Sequence, residues 1–447
     1  MDNEKKYLII ILFVLAFATR LLFFLYEINI NNITKNKEFY VNDAKEYQEL
    51  ALSISNGDFI EEWYPPFLDI SLRTGTLRTP GYPLFLSFIY SIFGMNNHFA
   101  AIVIQIFLSS LTVIFTYKLC MELLNDQTIS FLAGLLVAFD FYSIILSNLL
   151  LTETLATFFI VIGILFLIKS LKNKKNYYTI VSSSLLAVAT YVRPITLYLP
   201  FFMLPVFMYA HWKNKNKMLL NGFVFLIIFF GICGIWIYRN YKETNVPMFS
   251  SIQGINIYYY RAAGVIALEN GGSIVNAFRV GDTFDNAQKE LTQNVKNLWF
   301  NKKFNFEQKM ITLEKMGTDI ILNHPLYYIE LALIGAIRMI LAVPRRCDIE
   351  SLFHSSQFTA IWMILCLQFI VIFVGYIEGI IISLKRNKYL LLITLLTIAF
   401  YFIIVSSGPE ADGRFRVPWM PFVAILSSYG LKHIWSKIHL SKINFKG

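Results

Sequence analysis

The chain has 447 residues, 56% of them hydrophobic, 16% aromatic and only 15% charged, with a mean hydropathy of +0.55. Soluble domains carry about 25% charged residues, so an ordinary soluble enzyme is excluded, and repeated apolar runs near twenty residues place the chain in a membrane. The net charge of +10 comes from lysines in short loops and at the C-terminus, which marks topology and not a nucleic-acid surface.

Lys5 and Lys6 precede an apolar run, Tyr7–Tyr26, with no small-residue cleavage site, so it reads as a retained first span entering from the cytoplasm. Residues 27–97 form the first large outer loop. A helix pattern there places Tyr47, Leu50, Ala51 and Ile54 on one side, and Gly57 ends it. R-T-P-G-Y-P, Arg78 to Pro83, follows. Pro83–Phe93 is apolar but too short to span, and reads as an interfacial helix.

Further spans are expected at Phe99–Leu123, Ile129–Ser147, Thr154–Leu171, Tyr178–Tyr191, Ile195–Ala210 and Leu219–Tyr238. Lysines at 172, 174, 175, 213, 215 and 217 mark the inner loops between them. Residues 242–324 form the second outer region, with an aromatic stretch (Tyr258, Tyr259, Tyr260), a Gly271–Gly272 turn and two helical patterns, near Asp285–Leu298 and Phe306–Leu322. This region is expected to be an ordered lid or acceptor region. Pro325–Val343 could cross, but Arg338 lies within it. A crossing there would also put Lys385–Lys388 and the basic tail outside, so a re-entrant or surface-lying helix is preferred. Ala360–Leu384, Leu390–Val405 and Val417–Ile434 complete the path. The expectation is one all-α polytopic membrane domain, 1–447, with about 10–11 transmembrane helices and two large outer loops bearing juxtamembrane helices.

This path gathers Asp43, Arg78, Glu153, Arg193, Arg239, Arg414 and Arg416 on the outer face. Charges at membrane depth are costly and usually face a cavity or partner. Arginine's planar fork suits phosphate oxygens, and a nearby acid suits proton abstraction from a hydroxyl. Each residue also has a plain structural reading. Asp43 could be an N-cap with Glu46 completing a capping box, and Glu153 could cap the fourth span. Arg193 could snorkel at a helix end, Arg414 and Arg416 could be interfacial anchors, and Arg78 could belong to a rigid turn.

The six histidines are scattered, and Cys120, Cys233, Cys347 and Cys366 lie far apart without a C-x-x-C. Neither set has metal-ligand or disulfide spacing. There is no phosphate-cradling glycine loop and no nucleophile elbow.

Taken in order, N-D-A-K-E-Y (Asn42–Tyr47) with Ala51 and Gly57, R-T-P-G-Y-P-L-F, L-T-E-T-L, Y-V-R-P, N-H-P-L-Y-Y and R-F-R-V-P resemble a GT-C class membrane glycosyltransferase. The resemblance is to the branch holding dolichyl-phosphate-mannose protein mannosyltransferases and lipid A aminoarabinose transferases, glycosyltransferase family 39. It implies a GT-C-like helix bundle in a bacterial plasma membrane. It also implies a polyprenyl-phosphate sugar donor, and transfer on the outer face to a lipid, glycan or protein acceptor. The implied catalytic acids are Asp43, as general base, and Glu153. Arg78, Tyr82, Arg193, Arg414 and Arg416 are the implied substrate and lipid-phosphate contacts. In that family an acidic pair often stands in the first loop, whereas Ala44 follows Asp43 here, so a divalent metal has no motif behind it. No cofactor is assigned and no nucleic acid is implied. A lipid-linked-sugar transporter or flippase, and a polysaccharide polymerase or O-antigen ligase, are the competing classes.

Overall fold

The computed structural model describes residues 3–31, 42–173, 175–212, 215–271, 282–341 and 355–444. Lys174, Lys213, Gly272, Val343, Cys347 and His354, which figured in the readings above, lie outside the described residues.

The chain is almost wholly helical. α1 (Asn3–Asn31) leads to the outer-loop helix α2 (Asn42–Ser55). There Tyr47, Leu50 and Ala51 are buried as their spacing requires, and Gly57, at φ +88°, turns the chain away. A small antiparallel hairpin follows, β1 (Glu61–Trp63) against β2 (Leu72–Thr74). It is an exception to the all-α expectation, because three-residue strands are too short for an alternation to register in the sequence.

α3 (Gly81–Phe93) is the expected short apolar helix. A Cβ at Gly81 would overlap the backbone of Tyr191 and Val192. Only glycine therefore lets the start of α3 seat against the end of α8. α4 (His98–Leu124) begins under the Asn97 side chain, which accepts the Ala100 amide at 3.0 Å, and ends at Asn125 in the left-handed region. Asp126 caps α5 (Gln127–Ala138), and Asp140 caps α6 (Phe141–Leu146). The expected third span is therefore broken in the middle. α7 (Glu153–Asn173) and α8 (Asn176–Val192) follow. α8 stops because Arg193 precedes Pro194 and takes an extended conformation (φ −143°, ψ 109°).

A 3-10 turn at 194–196, α9 (Leu199–Phe202) and α10 (Leu204–Ala210) make a second broken passage before α11 (Lys215–Thr244). The chain then folds as α12 (Ile252–Ile255), a π-helical turn at 256–262, α13 (Ala263–Glu269), α14 (Asp282–Asn294), α15 (Lys296–Phe300) and α16 (Phe306–Asn323). Both expected helix patterns are present. α16 starts at a complete Asn305–Gln308 capping box. α17 (Pro325–Leu341) leaves α16 at a bend of 100°. α18 (Ser355–Lys385), α19 (Tyr389–Ser406), a 3-10 segment at 413–419 and α20 (Met420–Asn444) complete the described chain.

Six described helices are long and apolar enough to cross a membrane, or seven if the bent pair α16–α17 counts as one span. They coincide with six of the expected crossings, and the others fall on the broken passages, on the 17-residue α8 and on α20. Apolar side chains on α1, α11 and α18 are exposed outward, among them Leu22, Phe223 and Leu367, as lipid-facing surfaces require. The chain is an integral membrane protein. α18 and α20 run parallel and unusually close. Gly375, Gly379 and Gly430 have no room for a Cβ against the opposing backbone, the small-residue packing of membrane helices.

Contacts divide the molecule into two ends. At one, Lys432 pairs with Asp126 at 2.5 Å, Lys172 reaches the Glu122 carbonyl, and Lys437 and His433 meet Glu378. At the other, Arg239 on α11 donates to the Gly75 carbonyl, and α18, whose C-terminal part lies at the first end through Glu378, has its start there. The chain from the end of α11 to the start of α18 therefore begins and ends on the same side. Gly335 of α17 also packs on Gly408 in the loop there. This path fits the re-entrant or surface-lying reading of 325–341.

Two cores match this layout. The larger lies among the spans. The second lies among α12 to α17 and the hairpin, where Trp63 meets Trp299 and Phe306 at ring separations of 5.3 and 5.9 Å. Burying an aromatic of this size contributes about 1.5–3 kcal/mol. Buried Glu307 of α16 accepts from Thr74 (3.0 Å) and Thr76 (2.7 Å), fastening the first outer loop onto the second region.

Candidate active site

Five segments distant in sequence converge at the lysine-poor end: the first turn of α2, the turn before α3, the α6–α7 junction, the end of α8 and the 3-10 segment at 413–416. Asp43 lies inside the first turn of α2 and is not positioned as a capping residue. Its Oδ1 accepts from Arg78 Nη2 at 3.0 Å, and its Oδ2 accepts from Arg414 Nη2 at 2.8 Å. Glu46 is not a capping partner either. One turn along the same face, its Oε2 holds the same Arg78 through Nη2 at 2.6 Å and Nε at 2.8 Å. Arg78 also lies over the Tyr47 ring, 5.1 Å from its centroid.

Glu153 opens α7 with its side chain 1% exposed. Its Oε1 lies 2.5 Å from Arg193 Nη1 and 3.4 Å from Arg414 Nε. Arg193 additionally donates to Thr152 at 3.0 Å. The Arg193 and Arg414 guanidinium carbons each lie 5.3 Å from the centroid of Phe415. Arg414 thus stands between the two acids. The cluster contains three carboxylates (Asp43, Glu46, Glu153) and three guanidinium groups (Arg78, Arg193, Arg414), so its formal charges cancel.

Burial alone would raise the Asp43 carboxyl. The adjacent Arg78 and Arg414 outweigh that and hold it well below the usual carboxylate range. Glu61 on β1 behaves oppositely. It is 5% exposed, and burial pushes its carboxyl up to about 7 despite a hydrogen bond from the Arg78 amide.

The remaining expected residues sit apart. Tyr82 is fully buried, its ring edge-on to Tyr47, and its hydroxyl donates to Gln105 at 2.5 Å. Arg239 is spent on Gly75, Asn240 and the faces of Phe59 and Trp236, holding the hairpin turn against α11. Arg416 faces away from the cluster and pairs with Asp140 at 2.8 Å.

Sequence reasoning missed Asp140, Thr152 and Phe415, and gave Glu46 only a capping role. Asp140 had a signal: it is an acid interrupting an apolar run, and such residues need partners. Its Oδ2 caps α6 through the Ser143 amide (2.9 Å) and hydroxyl (2.6 Å), while Oδ1 takes Arg416. The break between α5 and α6 is thereby pinned to the turn that carries Arg414.

Among the described residues no three His, Cys, Asp or Glu side chains converge as a metal-binding group. Both Asp43 and Glu153 are already paired with guanidinium groups, an arrangement that does not fit a divalent ion between them.

A family model described as dolichyl-phosphate-mannose-protein mannosyltransferase matches residues 77–236, somewhat over a third of the chain, including Arg78, Tyr82, Glu153 and Arg193. No curated protein sequence matches. Among solved structures, the oligosaccharyltransferase AglB of Archaeoglobus fulgidus, in complex with an inhibitory peptide and a dolichol-phosphate, superposes with a TM-score of 0.60. The identity is 13%, over 99% of this chain and 51% of AglB. Its apo form gives 0.59 at 14% identity, over 99% and 52%. ArnT of Cupriavidus metallidurans bound to undecaprenyl phosphate is 13% identical over 95% of this chain and 77% of its own; its TM-score of 0.41 carries no weight below. The chain spans about half the length of AglB and has its GT-C fold, as the motifs led us to expect.

Proposed function

We propose that this protein is a glycosyltransferase that moves a sugar from a polyprenyl-phosphate donor to a hydroxyl of a lipid, glycan or protein acceptor, on the outer face of a bacterial plasma membrane. One observation carries the reading: Asp43 and Glu153, on two separate segments, converge on one guanidinium, with Arg193 beside them. A carboxylate cluster bordered by arginines suits a reaction that removes a proton and releases a phosphate.

The step is an in-line displacement with inversion. The acceptor oxygen bonds to the anomeric carbon, and its proton passes to Asp43. The bond from that carbon to the phosphate oxygen breaks, with its electron pair leaving on the lipid phosphate. A positioned base contributes about 10²–10⁴-fold. The leaving phosphate needs charge stabilisation, which Arg193 and Arg414 supply in a partly dry site. Arg416 acts at one remove, through Asp140, by holding the turn.

The test uses the purified full chain in lipid with a panel of polyprenyl-monophosphate hexoses and pentoses, following release of lipid phosphate. Release that depends on acceptor supports the reading. Consumption of a lipid-diphosphate oligosaccharide, with every monophosphate sugar inert, would favour a polymerase or ligase. Movement of intact donor across the bilayer without bond cleavage would favour a flippase.

A further inference from the structure

The arginines of the cluster are not held alike. Arg78 is gripped on several sides: by Asp43, by Glu46 through two nitrogens and by the Tyr47 face. Arg414 is held loosely. Only its Nη2 makes a hydrogen bond to a carboxylate, and its Nε, 3.4 Å from Glu153, is buried without a hydrogen-bond partner among the described residues. Glu153 Oε1 likewise lacks a well-directed donor. A buried donor left unpaired is unfavourable, so Arg414 gains most from a new acceptor. It also remains a quarter exposed, against 15% for Arg78.

From this asymmetry we infer that Arg414 is an exchangeable guanidinium, transferring from Asp43 to the phosphate of the lipid donor and so switching Asp43 from a masked ion-pair partner to a competent base. The inference rests on the lipid-phosphate reading above and adds its regulation. In the free protein Asp43 is a poor base, because two arginines stabilise its ionised form. A base works best when its basicity matches the operating pH. Once Arg414 leaves, Asp43 keeps Arg78, which Glu46 shares, so burial is opposed by one arginine instead of two. Donor binding would then raise its proton affinity.

The groups around Asp43 are Glu46 and Tyr47 on its own helix, Arg78 and Glu61 from the hairpin side, and Glu153 from α7. Arg193 lies at the end of α8, with Asp412 and Arg414 on the 413–416 side. Of these, Asp43 and Glu153 are the acids in contact with Arg414, so the exchange acts on both and the test must identify which one responds.

The probe is a short-chain prenyl methyl phosphate diester, which carries one charge and does not titrate near neutral pH. Its binding to the detergent-solubilised full chain is measured by calorimetry at about pH 4 in two buffers of different ionisation enthalpy. An opposite charge lost from a carboxylate moves its titration by about one to three pH units, so net proton uptake is expected on binding, and Asp43→Asn should abolish it. The acidic limb of kcat should likewise lie about one pH unit or more above that of kcat/KM. A structure of the diester complex supplies the direct readout, with Arg414 on the phosphate. Binding without proton uptake, or uptake that survives Asp43→Asn, would overturn the exchange, as would a complex with Arg414 still on Asp43; each leaves the functional reading intact. Failure of the diester to bind would sink both.

Discussion

Asparagine at position 43 is nearly the same shape as aspartate but carries no charge. A plain capping role predicts that Asp43→Asn is almost silent, since asparagine caps a helix as well as aspartate does. The geometry predicts otherwise. Two charge-assisted bonds, from Arg78 at 3.0 Å and Arg414 at 2.8 Å, would become one weak acceptor contact and one amide nitrogen facing a guanidinium donor. Hydrogen bonds to charged groups contribute about 1.5–3 kcal/mol each. Arg78 retains Glu46, and the Asp43 side chain is 27% exposed. The net stability loss is therefore about 1–3 kcal/mol once screening is counted. Turnover should fall by about 10²–10⁴-fold if the carboxylate is the base. Lipid-phosphate release and thermal unfolding, measured on Asp43→Asn and Asp43→Ala side by side, separate the two effects. The stability difference should also shrink in acid. A depressed carboxyl contributes above its unfolded value of about 3.9 and loses that contribution as pH falls below it. An Asp43→Asn protein with full turnover would refute the assignment and move attention to Glu153.

Arg193→Lys keeps a charge but loses the planar guanidinium that reaches Glu153 and Thr152 through Nη1 and lies on Phe415; turnover should drop about 10–100-fold with the fold retained, measured as kcat/KM for donor. Glu61→Gln tests the opposite titration. A carboxyl at about 7 in the folded protein binds its proton more tightly than in the unfolded chain, so wild-type stability falls as pH rises from about 4.5 to 7. The glutamine variant should gain up to about 3 kcal/mol at pH ~8 and little at pH ~4.5, read from denaturation midpoints in detergent. Gly379→Leu forces a side chain into the Leu426 backbone and should abolish recovery of folded protein, seen by size exclusion. Cysteines introduced into 282–323 and 406–412 should label from outside the cell and those at 385–388 should not; labelling at 385–388 but not at 406–412 would require 325–341 to cross.

How much of this was legible beforehand follows from the range of each interaction. Hydropathy along the chain placed the long spans, because a lipid environment demands unbroken apolar runs. The lysines fixed the path between them, and local rules located α2, α3 and the two helices at 282–323. Those signals are carried by neighbours in sequence. The breaks at Phe139–Asp140 and within 194–210 were passed over, although Asp140, Pro200 and Pro205 interrupt those runs, because hydropathy alone reads a capped short helix as part of a continuous span. The three-residue hairpin strands were too short to leave a period. The site divided the same way. Asp43, Arg78, Glu153, Arg193 and Arg414 stood out as charges where charge is costly. Their pairing did not, because it joins residues up to 371 positions apart, and nothing local distinguishes Arg414, between two acids, from Arg416, turned toward Asp140. That distinction arises only when the α5–α6 break, the end of α8 and the 413–419 turn are packed together. Glu46 shows the limit most directly: its spacing from Asp43 fits a capping box, and only the fold, by bringing Arg78 across, makes it an ion-pair partner instead.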